Sequence, residues 1–476
     1  MKNTILSLFI LIILLFTSCS KMFDINPPTE LKEEEIFSKE IGFYHALMGI
    51  YIRSTDPDLY GRTLGYSFID VISNMYNVSP ASSFINVQNL DYENVSVKST
   101  VDKIWDKSFY LIANCNNILK NLEGKESLFS NEYSSNYDVL KAELLAFRAF
   151  YHFDLLRLFG PMPSIGMDQT SIPYVDRVSV TPFPKLKMGE FLDKVIIDLK
   201  EAHELLKIND PLFSPSPTDY SGSSIFYYIS SDNGFRRDRI FKLNYFVVTG
   251  LLSRAYLYKG DKTNAYKYAK IVEQSDFRIY STINTYHYLN DILGSLWLAV
   301  ATNKSYTDAV FSDGAEANKL IIDADSRPKL YESQLYQTID VRNIKNFGNK
   351  DNNIEIYPLK YYNTSYSYPF IKRAEIDLIL AETAAANGDE PYYYLNKLRS
   401  ARGLEQFPLN SDNSILEDEI TKEYSKEFIA EGQLFYYYKR KGFTNYTGIN
   451  GRIITGMGPS KYVLPIPDEE LTYGNN

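Results

Sequence analysis

Cysteine and histidine are scarce in this chain of 476 residues, which has two cysteines and four histidines. Two cysteines, Cys19 and Cys115, are too few for a disulfide framework of the kind that holds small secreted domains together. The histidines are scattered along the chain without the spacing of a metal site. The sequence therefore predicts a protein whose stability comes from its core, without a structural metal.

Positive charge and catalytic motifs are also lacking. Lys and Arg total 50 against 59 Asp and Glu, so the net charge is −9, and no basic cluster suited to phosphate neutralisation stands out. The sequence contains no glycine-rich phosphate loop, no His-Glu-x-x-His and no Gly-x-Ser-x-Gly. We therefore expect no nucleic-acid partner, no cofactor and no enzyme activity.

The one long apolar run lies at the amino terminus. Residues 5–16 are apolar apart from one serine, too few to span a bilayer as a helix, and Lys2 precedes them. Small residues then lead to Cys19, the order expected of a lipoprotein signal. We predict a signal peptide at 1–18, lipidation of Cys19 by acyl chains such as palmitate, and a polar tether at 19–30. The alternative is a signal peptide without lipidation.

Aromatic residues are plentiful, with 40 tyrosines and 28 phenylalanines, and 45% of the residues are hydrophobic. A chain of this length and composition can bury a sizeable core. A tyrosine combines an apolar ring face with a hydroxyl, which suits both helix packing and the stacking of sugars or peptides. We expect most tyrosines to pack in the core and a minority in loops to contact a ligand.

The stretch 144–159 predicts a buried helix around which the chain is organised. Its only fixed charges are Arg148, Asp154 and Arg157, and apolar side chains recur at every helical offset, so no broad face is left for water. Asp154 and Arg157 stand one turn apart and can neutralise each other. The pair Gly160-Pro161 ends the helix. We interpret this helix as scaffold.

Two helical hairpins are recognisable downstream, at Asn244–Gln274 and Phe370–Gly403. Each has small residues at the helix crossing and a short turn, Gly260-Asp261 in the first and Gly388-Asp389 in the second. This is the plan of a tetratricopeptide-like pair. Because the spacing is irregular, we expect a helical repeat scaffold but not an uninterrupted solenoid.

Three further stretches show helical periodicity: Leu31–Tyr51, Ile104–Leu119 and Met188–Leu206. Trp105 and Cys115 lie on the second, where helical spacing favours core packing for both. The predicted fold class is all-α, with tetratricopeptide-like hairpins packed against a loop-rich part that carries only minor β structure.

Two long segments lack helical periodicity and are rich in aromatic residues. We call Asp56–Thr100 the first loop region and Asp276–Tyr368 the second loop region. Long irregular segments in a compact domain are usually functional or mobile. The candidate ligand-binding residues are aromatics of these regions, namely Tyr76, Phe84, Tyr92, Tyr286, Tyr288 and Trp297.

Three glutamates at 423, 427 and 431 recur every four residues, which predicts three carboxylates along one helix face. Their Cβ spacing of about 6 Å is near the separation that glycosidase carboxylates need, so a glycoside hydrolase is one hypothesis. Catalytic carboxylates usually converge from different elements, however, and Lys422 and Lys426 offer ion-pair partners. We therefore favour a structural role for the three glutamates.

Several motifs resemble those of the SusD/RagB family of outer-membrane nutrient-binding lipoproteins. The helix signature consists of Ala142-Glu143, Arg148-Ala149-Phe150-Tyr151, Asp154-Leu155, Arg157-Leu158-Phe159-Gly160 and Pro163. The carboxy-terminal half adds Asp340-Val341-Arg342, Arg373-Ala374-Glu375, Glu427-Phe428, Glu431-Gly432 and Lys439-Arg440. The order of these motifs is similar to that of the family along the whole chain.

The resemblance implies an outer-membrane lipoprotein, held by its lipid anchor and facing the cell exterior. Such a protein would bind a nutrient, most often an oligosaccharide, and pass it to a SusC-like TonB-dependent transporter. A peptide ligand and a pure assembly scaffold are the alternatives. We expect an amino-terminal helical region at 31–275 and a carboxy-terminal region at 276–476, together forming one globular body.

Overall fold

The computed structural model describes residues 33–129, 135–210, 212, 234–236, 238–275, 277, 291–297, 319–322, 325–332, 340–350, 355–358, 360, 367–409 and 411–474. The predicted signal peptide, Cys19 and the tether lie outside these residues.

Helices dominate the described part of the chain. They are α1 (Glu33–Ile36), α2 (Glu40–Ser54), α3 (Phe68–Ile72), α4 (Ile85–Gln88), α5 (Val95–Leu122), α6 (Asn136–Phe159), α7 (Met188–Asn209), α8 (Tyr245–Lys259), α9 (Lys262–Glu273), α10 (Ser326–Leu330), α11 (Val341–Lys345), α12 (Arg373–Thr383), α13 (Pro391–Ala401), α14 (Leu416–Glu427), α15 (Leu434–Lys441), α16 (Pro459–Tyr462) and α17 (Asp468–Tyr473).

The β structure is minor, as predicted. The strands are β1 (Thr170–Pro173), β2 (Lys185–Lys187), β3 (Ile292–Trp297), β4 (Phe347–Lys350), β5 (Glu355–Pro358), β6 (Ser367–Lys372), β7 (Tyr446–Thr447) and β8 (Ile453–Ile454). They form antiparallel pairs β1–β2, β3–β6, β4–β5 and β7–β8. The all-α prediction is confirmed.

Helix α6 is the buried central helix that the sequence predicts. All of its residues from Ala142 to Phe159 are buried. The Arg148 guanidinium donates to both carboxylate oxygens of Asp198 on α7, each at 2.7 Å. Asp154 accepts from Nε of Arg157 at 3.0 Å, as expected from their spacing. Because each charge is paired, the helix can be buried without an isolated ion.

The helices stack one against the next in chain order. Helix α5 packs on α2, helices α6, α7, α8 and α9 each pack on their predecessor, and α9 then packs directly on α12, which packs on α13. The hairpins α8–α9 and α12–α13 are therefore neighbours in space, although the second loop region separates them in sequence. The helical repeat is interrupted in the sequence, as expected, but in the folded protein the two hairpins pack directly on each other.

The turns of both hairpins form for the predicted reason. Gly260 ends α8 with a φ of +85°, and Gly388 precedes α13 with a φ of +71°, a conformation that favours glycine. Side chains then cap the next helices, because Asp261 accepts from the Asn264 N–H at 2.9 Å and Glu390 accepts from the Tyr392 N–H at 2.9 Å.

Four boundaries differ from the sequence predictions. Helix α5 begins at Val95, inside the first loop region and ahead of the expected start at Ile104. The helix expected at Leu31–Tyr51 is broken between α1 and α2. The first loop region contains α3 and α4, which are only about one turn long and so leave no periodicity to detect. Phe370 lies in β6, where all six residues are buried, and a strand buried on both faces shows no alternating pattern.

Candidate functional site

Two of the six predicted ligand-binding aromatics are buried. Tyr76 is 0% exposed, and its hydroxyl donates to the backbone oxygen of Tyr66 at 3.0 Å. Tyr92 is 8% exposed and donates to the backbone oxygen of Lys461 at 2.8 Å. In this conformation neither ring presents a face to a ligand. Their burial speaks against both as stacking platforms, so we do not carry them into the binding hypothesis.

The other four candidates stay predictions. Phe84 is half-buried and packs with one side against the core. Trp297 is the last residue of β3, where its backbone pairs with Ser367, so the expectation of a short strand or helix resolves to a strand. Tyr286 and Tyr288 lie outside the described residues. Trp105, by contrast, is buried against Phe159, which confirms core packing for that tryptophan.

The two loop regions meet at a place we call the loop junction, which consists of residues 74–90, 319–322 and 448–452. The Asn77 N–H donates to the Ile321 oxygen at 2.8 Å, forming a single antiparallel bridge. The backbone oxygen of Tyr76 accepts from the amide groups of Gln88 at 3.0 Å and Asn450 at 2.9 Å. Three segments that are distant in sequence are thus held together by hydrogen bonds.

A groove of about 360 Å³ runs beside the loop junction and shares the segment 448–451 with it. Tyr438, Phe443 and Tyr446 contribute aromatic rings to its wall, with ring centroids 4.2 Å apart for Tyr438 and Tyr446 and 5.7 Å apart for Tyr438 and Phe443. Its volume falls in the range of about 300–1,000 Å³ that is usual for ligand sites. The loop junction and this groove together are the candidate binding surface.

Sequence reasoning did not single out the groove aromatics. Phe443 and Tyr446 follow α15 in a stretch that carries glycines at 442, 448 and 451. Glycines at this density indicate a turn-rich loop, and aromatic residues within such a loop are candidates for exposure. That signal was available in the sequence, but the segment is short compared with the two long loop regions.

The three carboxylates of the hydrolase hypothesis do not share one helix face. Glu423 and Glu427 lie on α14, which ends at Glu427, and Glu431 lies in the connection to α15. All three are at most 2% exposed. The predicted helix face is wrong because the chain leaves the helix at Phe428 and reaches a positive φ of 58° at Ala430.

These carboxylates belong to a buried set of charges that we call the anchor network: Asp291, Asp340, Arg342, Lys360, Lys372, Arg402, Glu423, Glu427 and Glu431. Glu427 is its centre. Its Oε1 lies 2.8 Å from Nη1 of Arg342 and 2.6 Å from Nε of Arg402, and its Oε2 lies 3.2 Å from Nζ of Lys372. A buried carboxylate with three cationic partners has a structural role.

The anchor network fastens separate points of the second loop region to the scaffold. Asp291, just before β3, lies 2.8 Å from Nη2 of Arg402 at the end of α13. Lys360, between β5 and β6, lies 2.5 Å from Oε1 of Glu431. Asp340, just before α11, accepts the Arg342 N–H at 2.9 Å. Since Arg342 also pairs with Glu423, the network ties the segments around Asp291, Asp340 and Lys360 to α13, α14 and the connection before α15.

The electrostatics keep Glu423 and Glu427 ionised. Burial alone would raise the pKa of Glu423, but Arg342, Lys426 and Arg399 lower it to about 2. Burial opposes ionisation of Glu427 as well, yet Arg402, Lys372 and Arg342 hold its pKa well below the usual range. A general acid needs a raised pKa and access to the substrate, so neither glutamate suits that role.

Two further features are absent from the described part of the chain. Within residues that the structure describes, no group of three or more His, Cys, Asp or Glu side chains is placed to hold a metal ion. Among the described helices, none combines the length and the apolar character needed to cross a membrane.

Two family matches cover most of the chain. Residues 36–218 match the family described as starch-binding and associating with the outer membrane, and residues 242–473 match the SusD family. The described residues of both segments contribute to a single hydrophobic core.

Relatives and solved structures agree over nearly the full length. A SusD-like protein P2 from Formosa agariphila is 21% identical over 533 residues, covering 98% of this chain and 97% of the relative. A SusD superfamily crystal structure from Bacteroides thetaiotaomicron has a TM-score of 0.71 at 19% identity, covering 92% of this chain and 98% of that one. A crystal structure of a putative sugar binding protein from Bacteroides vulgatus has a TM-score of 0.68 at 23% identity, with coverages of 92% and 97%.

A stacked helical scaffold with minor β structure and a buried charge network defines an all-α protein. The family matches make the assignment specific: this chain belongs to the SusD/RagB family, whose members are binding proteins associated with the outer membrane.

Proposed function

We propose that this protein binds an oligosaccharide at the loop junction and its groove and delivers it to a SusC-like TonB-dependent transporter. The observation that supports this most directly is the bridge between Asn77 and Ile321, at 2.8 Å. It brings together the two loop regions in which the aromatic candidates lie. A ligand surface made from both regions can present several rings to one extended molecule.

The chemistry of such a surface suits a sugar chain. Aromatic faces, here Phe84 with Phe443 and Tyr446 of the groove, would cover the apolar faces of pyranose rings. Polar side chains that are at least partly exposed at the loop junction, Asn77 and Asn89, would exchange hydrogen bonds with ring hydroxyls. Binding by shape and hydrogen bonding requires no reaction at the site.

The delivery role rests on the amino terminus and on family membership. Lipidation at Cys19, after removal of residues 1–18, would hold the body at the outer membrane through the tether at 19–30. Several acyl chains would make the anchor effectively permanent, since each buried methylene contributes about 0.8 kcal/mol. An anchored binder on the cell exterior can meet a nutrient before the transporter does.

We expect aromatic truncation to lower ligand affinity by at least about tenfold. The variant combines Phe84→Ala, Phe443→Ala and Tyr446→Ala with Tyr286→Ala, Tyr288→Ala and Trp297→Ala, because one ring contact contributes about 0.5–1.5 kcal/mol and tenfold in affinity equals about 1.4 kcal/mol. Ligands would be found on an array of oligosaccharides and peptides, and affinities measured by isothermal titration calorimetry.

The matched control is Tyr393→Ala, which removes an aromatic side chain that is 46% exposed on α13, far from both loop regions in sequence. Unchanged affinity of the sixfold variant would refute this choice of site. Binding of peptides alone would support the peptide alternative. New reducing ends in the mixture would support the hydrolase alternative.

We also expect a TonB-dependent transporter to co-purify with the full-length protein from gently solubilised membranes. Mass spectrometry of the purified material would identify the partner, and its neighbours would indicate the substrate. Cys19→Ala should abolish membrane retention and reduce recovery of the transporter. If the protein is recovered alone, or with a periplasmic assembly, the scaffold alternative gains and the delivery role is wrong.

A further inference from the structure

A small polar chamber lies where the central helix meets both hairpins. Its volume is about 30 Å³. The residues that line it come from α6, α8, α12, α14 and α15 and from the connection before α15: Arg157, Arg254, Leu257, Tyr258, Glu375, Tyr424, Phe428, Gln433, Tyr436, Tyr437 and Arg440. Nothing in the proposed binding surface uses this chamber.

Three hydrogen-bonding groups of the chamber are unpaired. Nη1 of Arg254 and the hydroxyls of Tyr258 and Tyr436 are buried and have no hydrogen-bond partner among the described residues. The three side chains are between 3% and 7% exposed. Buried polar groups in native proteins are nearly always hydrogen-bonded, to protein or to ordered water. Three unpaired groups around one cavity therefore indicate an occupant.

The charges around the chamber balance, which decides the kind of occupant. The Arg254 guanidinium lies 2.6 Å from Glu375, and Nη2 of Arg440 lies 2.7 Å from Oε1 of Glu382. Arg157 is paired with Asp154. Each guanidinium thus has its own carboxylate, so a buried anion would bring an uncompensated charge, whereas a neutral molecule would not.

The volume sets the size of the occupant. One water molecule needs about 10–15 Å³ of free cavity space, so a chamber of about 30 Å³ has room for one or two. A water molecule can accept from Nη1 of Arg254 and from one tyrosine hydroxyl and donate to the other, because a hydroxyl both donates and accepts. A chloride ion can only accept.

We infer that this chamber is a binding site for one or two ordered water molecules, which complete the hydrogen bonds of Arg254, Tyr258 and Tyr436. The water joins α8 of the first hairpin to α15, beside the paired Arg157 of the central helix. The chamber shares the lining residues Leu257, Tyr258 and Arg440 with a surface groove of about 640 Å³.

Crystals of the protein grown in sodium chloride and in sodium bromide test the assignment. We expect an oxygen-sized density peak about 2.6–3.2 Å from Nη1 of Arg254 in both, with no anomalous signal at the bromine edge. In Tyr258→Phe combined with Tyr436→Phe the peak should lose at least half of its occupancy. Tyr256→Phe on the same helix, whose side chain does not line the chamber, should leave the peak unchanged.

A bromide signal in the chamber would overturn the inference in favour of a halide site. A chamber without density, in which the two hydroxyls bond to each other or to protein, would overturn it as well. Both outcomes can be read from the unmodified protein alone, so the result does not depend on whether the double variant folds.

Discussion

Replacing Glu427 by glutamine is expected to lower the free energy of unfolding by about 3–5 kcal/mol, the cost of breaking a buried ion pair by removing one partner. The variant keeps the size of the side chain but removes a charge that three cations share: Arg342, Arg402 and Lys372. These cations would stay buried with too little negative charge nearby. Denaturant unfolding monitored by circular dichroism measures the change.

The matched control is Glu417→Gln, at the other end of α14. Glu417 lies 2.8 Å from Lys441, but its side chain is 63% exposed, and exposed pairs contribute about 0–1 kcal/mol. A similar loss of stability in both variants would show that the anchor network contributes no more than a surface pair does. A large loss of stability in Glu427→Gln alone would show that the buried ion pairs of Glu427 contribute more than an exposed pair does.

The effect of Glu427→Gln should also depend on pH. The pKa of Glu427 is held well below its usual range in the folded protein, because Arg402, Lys372 and Arg342 outweigh the opposing effect of burial. An unfolded glutamate titrates near pH 4.3. The stability contributed by the charge is therefore fully present above about pH 4.3 and is lost as the pH falls toward the folded pKa. The difference between the variant and the unmodified protein should be constant from pH 8 to 5 and shrink below.

Much of the scaffold could be predicted because its elements are long. Helix α6 leaves no face for water, so its burial follows from the sequence alone. The hairpin turns contain Gly260 and Gly388, and both adopt the positive φ that favours glycine. In these segments the local sequence pattern and the tertiary packing agree, so the residue types alone predict the structure.

The candidate binding surface could be predicted only in part, because contacts between distant segments determine it. The bridge from Asn77 to Ile321 has no signature in either segment. Tyr76 was a reasonable candidate in an irregular region, but buried hydrogen bonds from Gln88 and Asn450 to its own backbone oxygen hold that region against the core. Sequence spacing does not distinguish a loop that packs inward from one that faces water.

The three glutamates are a second case in which contacts between distant segments limit what the sequence predicts. Their spacing suggests one helix face, yet Glu431 lies beyond the end of α14. What unites them is the set of cations supplied by other segments, including Lys360 from the second loop region and Lys372 at the end of β6. A repeat of like charges in sequence can therefore report a shared counter-ion cluster rather than a surface stripe or a catalytic pair.

Replacing Gly432 by alanine is expected to lower the free energy of unfolding by about 2–4 kcal/mol. Gly432 has a φ of +66°, where alanine costs about 1 kcal/mol relative to glycine. An added Cβ would also lie 2.3 Å from the backbone oxygen of Leu64 and 2.8 Å from Cγ2 of Ile69, and overpacking of this kind costs about 1–3 kcal/mol more. Thermal and denaturant unfolding would measure the total.

The matched control, Gly388→Ala, separates these two contributions. Gly388 has a similar φ of +71°, but an added Cβ would meet nothing within 4 Å, so only the backbone cost of about 1 kcal/mol should appear. Equal losses in the two variants would mean that the approach to Leu64 relaxes without cost. A larger loss at Gly432 would show that the connection between α14 and α15 packs tightly against the first loop region.

The same contact should affect ligand binding. The N–H of Gly432 donates to Asp70 at 3.1 Å, and this hydrogen bond positions the segment that leads into the loop junction. Ligand affinity in Gly432→Ala should therefore fall together with stability.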